Sequence, residues 1–133
     1  MTTRVLIPSG ALGLNYDQVA LDRGIAMKPD IIAIDGGSTD SGPAYLGRGV
    51  SKYSRASTKI EWRGLMEARA KTGVPLVIGT SGTCGADNAV DWMLDITREI
   101  ATDLRQSLKI AVLRCSQDTA VMSTAFSDGR ITP

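Results

Sequence analysis

Pro29-Asp30-Ile31-Ile32-Ala33-Ile34-Asp35-Gly36-Gly37-Ser38-Thr39-Asp40-Ser41-Gly42 is the stretch whose reading decides the fold of this chain. Its run of consecutive apolar residues, bounded by Pro29 and by Gly36-Gly37, predicts a short strand buried on both faces. The end that follows is rich in carboxylates, glycines and hydroxyls. Glycines let a backbone turn tightly and approach a ligand closely, and the carboxylates and hydroxyls are groups that hold one.

Working outward, Val5-Leu6-Ile7, Pro75-Leu76-Val77-Ile78 and Ile110-Ala111-Val112-Leu113 are further apolar runs. Each closes in a polar loop: Pro8 to Gly13, Gly79 to Gly85, and Arg114 to Asp118. Helices are predicted between them. The first runs from Tyr16 to Met27, with Asn15 as its N-cap and Gln18 in the capping-box position. The second opens on the Thr58-Lys59-Ile60-Glu61 capping box and stops at Gly73. The third, Ala86 to Leu104, places Ala89, Val90, Met93 and Ile100 on one face at the helical period, as core. A long loop without apolar periodicity, 36–57, precedes the second helix, and loops of that length are often functional. The order β-α-β-loop-α-β-α-β predicts an α/β domain: three-layer, Rossmann-like, with a mostly parallel sheet of at least four strands. In such sheets the ligand crevice lies outside the carboxyl ends of the strands.

The chain has 133 residues, which suits a single α/β domain over 1–133 with a real core. Nothing after Cys115 reads as capping a sheet, so the expectation is the N-terminal part of a longer protein. A formal net charge of +1 gives no reason to expect nucleic acid or an anionic membrane as partner. No apolar run reaches the roughly 18 residues of a membrane span. The start, Met1-Thr2-Thr3-Arg4, has no leader pattern, and two cysteines suit a reducing compartment, so a cytoplasmic location is expected. Histidine is absent, which removes the usual general base and the commonest zinc ligand. It also leaves no serine-hydrolase triad to be completed around Ser81.

The candidate site residues come from the strand-end loops. In the first, Ser9 and Gly10 precede a helix, a position that favours an anion, although a plain tight turn explains the same residues. In the second, Asp35, Gly36, Gly37, Ser38 and Thr39 look like the phosphate loop of actin-like sugar kinases, but no hairpin partner follows. Asp35 and Asp40 either hold a divalent cation through oxygen or cap and solvate the turn. The long loop becomes basic through Arg48, Lys52, Arg55, Lys59 and Arg63, which form either an anion-steering rim led by Lys52 and Arg55 or a solvated face. Ser81, Gly82, Thr83 and Arg114 complete the ligand-binding set. Cys84 stands before a helix N-terminus, where a dipole favours thiolate. With Cys115 at the next strand end it resembles the paired thiols of cofactor-independent amino-acid racemases; small residues packed near a pocket are the alternative. The candidate catalytic residues are Asp35, Asp40 and Cys84. No cofactor or metal is named by these patterns.

Taken together, the order of elements resembles the N-terminal part of the acyclic terpene utilisation (AtuA-like) proteins. The likeness rests on the opening strand and small-residue loop Ser9 to Gly13, the pair Tyr16 and Asp17, and the strand Asp30 to Asp35 before a long insert. It continues through Gly73-Val74-Pro75-Leu76-Val77-Ile78, its glycine-rich turn and the helix after it, to the strand Lys109 to Leu113. Gly36 to Asp40 stands where that family's leucine-acidic motif is expected. The resemblance implies a catabolic setting, with a chemistry that is itself poorly defined. The function expected is binding of a small anionic metabolite, carboxylate or acyl-type, within a larger catabolic enzyme. A non-catalytic binding or assembly module, with self-association, is the alternative.

Overall fold

The computed structural model describes residues 2–37 and 41–132. Strand β1 is Val5–Leu6, β2 is Ile31–Asp35 and β3 is Leu76–Gly79, in a parallel sheet of order β1-β2-β3. Arg4 and Asp30 lock the start of the short first pair: Arg4 N donates to Asp30 Oδ2 at 2.8 Å, and Asp30 N to Arg4 O at 2.9 Å. The register sets Leu6, Ile32 and Leu76 in one row and Ile34 beside Ile78. Because side chains alternate along a strand, these residues share one face, while Val5, Ile31, Ala33 and Val77 share the other.

Three of the helices pack on the first face. Helix α1, Gln18–Ala26, is capped by Asp17, whose Oδ1 accepts from Ala20 N at 2.7 Å. The expected cap, Asn15, lies outside the helix at φ +65°. Helix α2, Gly42–Arg48, falls inside the stretch expected to be loop, with proline in its first turn and Gly49 at φ +64° ending it. Seven residues show no usable periodicity, so only that punctuation marked the helix. Helix α3, Arg55–Thr72, starts earlier than expected because the Ser54 side chain accepts from Ser57 N at 3.1 Å. Helix α4 is Asp87–Asp103 and α5 is Thr119–Ser127. Leu21 of α1, Ile34 of β2, Leu65 and Met66 of α3, and Ile96 and Ile100 of α4 form one buried cluster.

Two expectations are corrected here. The described residues form a three-stranded sheet, not one of at least four. They also make two layers instead of three. Val5 and Val77 on the far face are 53% and 47% exposed, and α5 buries none of its residues. The predicted fourth strand, Ile110 to Leu113, runs beside β3 without pairing to it. Its ends are tied to α4 instead. Gln106 N donates to Ala101 O at 2.8 Å, while Arg114 forks onto Asp91, and Ser116 exchanges hydrogen bonds with Asp87 at 3.0 and 3.2 Å. A cavity of about 560 Å³ fills the space between.

Candidate functional site

The strand-end loops do meet, and they meet through their own backbones. Leu12 N donates to Asp35 O at 2.7 Å, joining the first loop to the end of β2. Gly36 N donates to Gly79 O at 2.7 Å, and Thr83 N to Gly36 O at 3.2 Å, joining β2 to the loop after β3. A Cβ on Gly36 would lie 2.5 Å from Gly79 O, and one on Gly37, at φ +146°, would lie 2.4 Å from Thr83 Cα. These glycines are therefore needed for loop-on-loop contact. Asp35 serves the same joint. Its Oδ1 accepts from Gly37 N at 3.0 Å and from the Thr80 hydroxyl, which is the turn-capping role.

The insert between β2 and α3 closes over this joint. Lys52 N donates to Thr83 Oγ1 at 2.9 Å, and the Ser51 hydroxyl stands 3.3 Å from the same atom. Thr83 is fully buried, so its hydroxyl organises loops. Gly82 is buried and its Cβ position is filled by Ala89 of α4. The Lys52 side chain emerges at the surface, where Nζ donates to Ser41 Oγ at 2.9 Å and sits 5.8 Å from the centre of the Tyr53 ring. Ser38, Thr39 and Asp40 lie outside the described residues, and with them the proposed Asp35–Asp40 cation pair.

The first loop already holds an anion, and it is internal. Glu61, buried in the middle of α3, accepts from Gly13 N at 2.7 Å through Oε2 and from Asn15 N at 3.1 Å through Oε1. Tyr16 OH donates to Glu61 O at 2.8 Å. Burial, then the charges of Glu61 and Glu67, push the Tyr16 phenol up. Two N–H groups of this stretch, those of Gly13 and Asn15, are thus spent on a carboxylate of the chain itself. Of the expected pair, Ser9 turns its hydroxyl onto Ala11 O at 3.3 Å, and Gly10 lies exposed in open space. Glu61 is the residue that sequence reasoning misplaced. It satisfied the spacing of a capping box, and its isolation among basic residues was the one signal that pointed elsewhere.

Most of the basic rim is also spoken for. Arg55 pairs with Glu99; Lys59 pairs with Glu99 at 3.1 Å and Asp103 at 3.3 Å; Arg63 reaches Glu67 at 3.3 Å and Asp103 at 3.5 Å. Hydrogen bonds from Arg55, and next from Lys59, hold the Glu99 carboxyl down at about 2. Arg114, expected to bind ligand, forks onto Asp91 and pulls that carboxyl below its usual range. Cys84 is half-buried at the end of the Ser81–Thr83 turn, Cys115 is exposed, and both are free thiols. Among the described residues Lys52 and Arg48 are the cations of this stretch in no ion pair; Lys52 is exposed beside the strand ends, and Ser9 and Ser81 are half-buried there.

Comparison of this chain with protein families, with curated proteins and with solved structures finds no match. No helix among the described residues is long and apolar enough to cross a membrane.

Proposed function

We propose that the chain binds a small anionic metabolite at the carboxyl ends of its strands, with Lys52 as the anchoring cation. One observation carries this reading. Arg55, Lys59 and Arg63 of the basic stretch are neutralised by acids of α3 and α4, whereas the Lys52 ammonium meets only the Ser41 hydroxyl and the Tyr53 ring face among the described groups. An ammonium presented beside a hydroxyl, with no carboxylate on it among the described residues, suits an incoming carboxylate or phosphate. The likeness to the AtuA-like proteins supplies the catabolic context of the proposal, a carboxylate or acyl-type metabolite. If turnover accompanies binding, Asp35 and Cys84, with Asp40 in the adjoining segment, are the groups to carry protons.

Titration calorimetry at low salt with acetate, succinate and inorganic phosphate tests the binding. Lys52→Ala is expected to weaken the best of these ligands about tenfold, while Arg55→Ala, whose charge is held by Glu99, leaves the affinity within about twofold. Failure of all three anions to saturate the protein, or equal affinity with and without the Lys52 charge, discards the proposal.

A further inference from the structure

We infer that the cavity between β3, α3, α4 and the segment 108–113 takes an amphiphilic anion, a medium-chain carboxylate. Its head lies at Arg69 and Lys109, and its chain runs along β3 towards Ser81. The space is about 560 Å³, within the range of small-molecule pockets. Most of its wall is apolar: Trp62 and Met66 from α3, Ile78 from β3, Met93 and Leu94 from α4, and Val112 across the gap. Two polar groups in that wall are already satisfied. The Trp62 indole N–H donates to Thr97 Oγ1 at 2.9 Å, and the Thr97 hydroxyl donates to Met93 O at 2.8 Å. Such a wall favours an alkyl chain.

The two ends of the cavity differ in charge, and the difference gives the ligand a direction. Arg69 stands in the last turn of α3, which leads into β3. Lys109 stands at the start of the segment that follows α4 and runs beside β3 until Arg114 fastens it to Asp91. Both cations therefore fall where β3 begins. Both line the cavity, and no carboxylate lines it with them among the described residues. Neither is in an ion pair among those residues. The carbonyl end of a helix favours a cation in its last turn, which accounts for Arg69 alone. It does not account for a second cation brought to the same space from another segment. A guanidinium fork and an ammonium with no acid between them suit a carboxylate. The other end is uncharged. Ser81, in the turn after β3, lines it and belongs also to the strand-end loops. The cavity thus adjoins the strand-end site at Ser81 and differs from it in the cations that hold the head.

The test titrates the full chain with butanoate, hexanoate, octanoate, decanoate and 1-decanol, each below its aggregation concentration. Binding is followed by tryptophan fluorescence and by backbone amide shifts. Saturable binding at one site is expected, with shifts centred on Leu76, Ile78 and Val112, and with affinity rising up to about fourfold per added methylene. The alcohol, with the same chain as decanoate and no charge, should bind about tenfold more weakly. Arg69 is half-buried and Lys109 exposed, so both can be replaced without opening the core. Arg69→Gln should weaken decanoate about tenfold, Arg69→Lys should restore part of that loss, and Lys109→Gln should act in the same direction as Arg69→Gln. The affinity for 1-decanol should stay unchanged in all three, which reports that the cavity is intact. Lys52→Ala should leave decanoate binding unchanged, so failure at this site and failure at the Lys52 site are read separately. Absence of saturation, affinity independent of chain length, or equal affinity for decanoate and the alcohol overturns the inference. So does a loss of decanoate affinity on Lys52→Ala in place of Arg69→Gln, which would put the head at the strand ends. Amide exchange protection at Ile110 and Val112 equal to that at Ile34 overturns it as well, because the segment would then close onto β3 and leave no cavity.

Discussion

Glu61 commits both carboxylate oxygens to backbone N–H groups of a loop 48 and 46 residues away in sequence. Removing that carboxylate would strand two donors in a part-buried loop. Glu61→Ala is expected to cost about 3 kcal/mol, and Glu61→Gln, which keeps a single acceptor oxygen, about 1–2 kcal/mol. Urea unfolding midpoints measure both, and faster amide exchange at Gly13 and Asn15 should accompany the loss. A cost below about 0.5 kcal/mol for Glu61→Ala would mean that the clamp is not stabilising. The residue was visible in the sequence, but its role was not. Thr58-x-x-Glu61 has the spacing of a capping box because helix starts and helix interiors draw on the same residue types. Ser54 wins the start because its side chain actually takes the Ser57 N–H. For Asp35 the sequence leaves a cation ligand, a proton carrier and a turn cap all open, and the contact it makes, from Gly37 N, is the cap's.

Among the elements, α3 and α4 are joined at the surface by Glu99 and Asp103, which bridge to Arg55, Lys59 and Arg63. Glu99 is held at about 2 against an ordinary 4.5. A carboxyl lowered in the folded state favours folding while it is ionised. Its contribution is complete above the ordinary value and disappears as pH falls from there towards 2. The difference in urea midpoint between the wild-type chain and Glu99→Gln is therefore expected to be constant above pH 5 and to shrink steadily between pH 5 and pH 2. A difference independent of pH across that window would count against the pairing, and added salt should reduce it, as the partners are exposed. The same scale explains the gains and losses of the sequence reading. The α4 face was legible because seventeen helical residues repeat the period many times. The fourth strand was not, since Ile110-Ala111-Val112-Leu113 has the composition of a buried strand whatever lies beside it. Its fate is decided by Arg114 and Ser116, which fasten to Asp91 and Asp87 of α4, a contact no local pattern encodes.

For the molecule as a whole, the alternation of strands and helices was enough to foresee a parallel sheet, but not which face the helices take. The placement makes a sharp contrast between neighbours on β3. Ile78 points into the helix layer, so Ile78→Lys should cost about 3 kcal/mol or more. Val77 points away from it, 47% exposed, so Val77→Lys should cost less than about 1 kcal/mol. Thermal melts of the two variants make the comparison, and equal penalties would mean that something covers the far face in solution. The one-sided placement also has a topological consequence. Successive connections pass over the sheet on the same side, and each strand is laid down next to the one before it. The winding therefore never reverses within the described residues, and there is no switch point at which neighbouring loops part to open a crevice for a ligand. Any hollow at these strand ends has to be roofed by inserted chain, and the 42–54 insertion, pinned at Thr83 through Ser51 and Lys52, is the piece of backbone that does so.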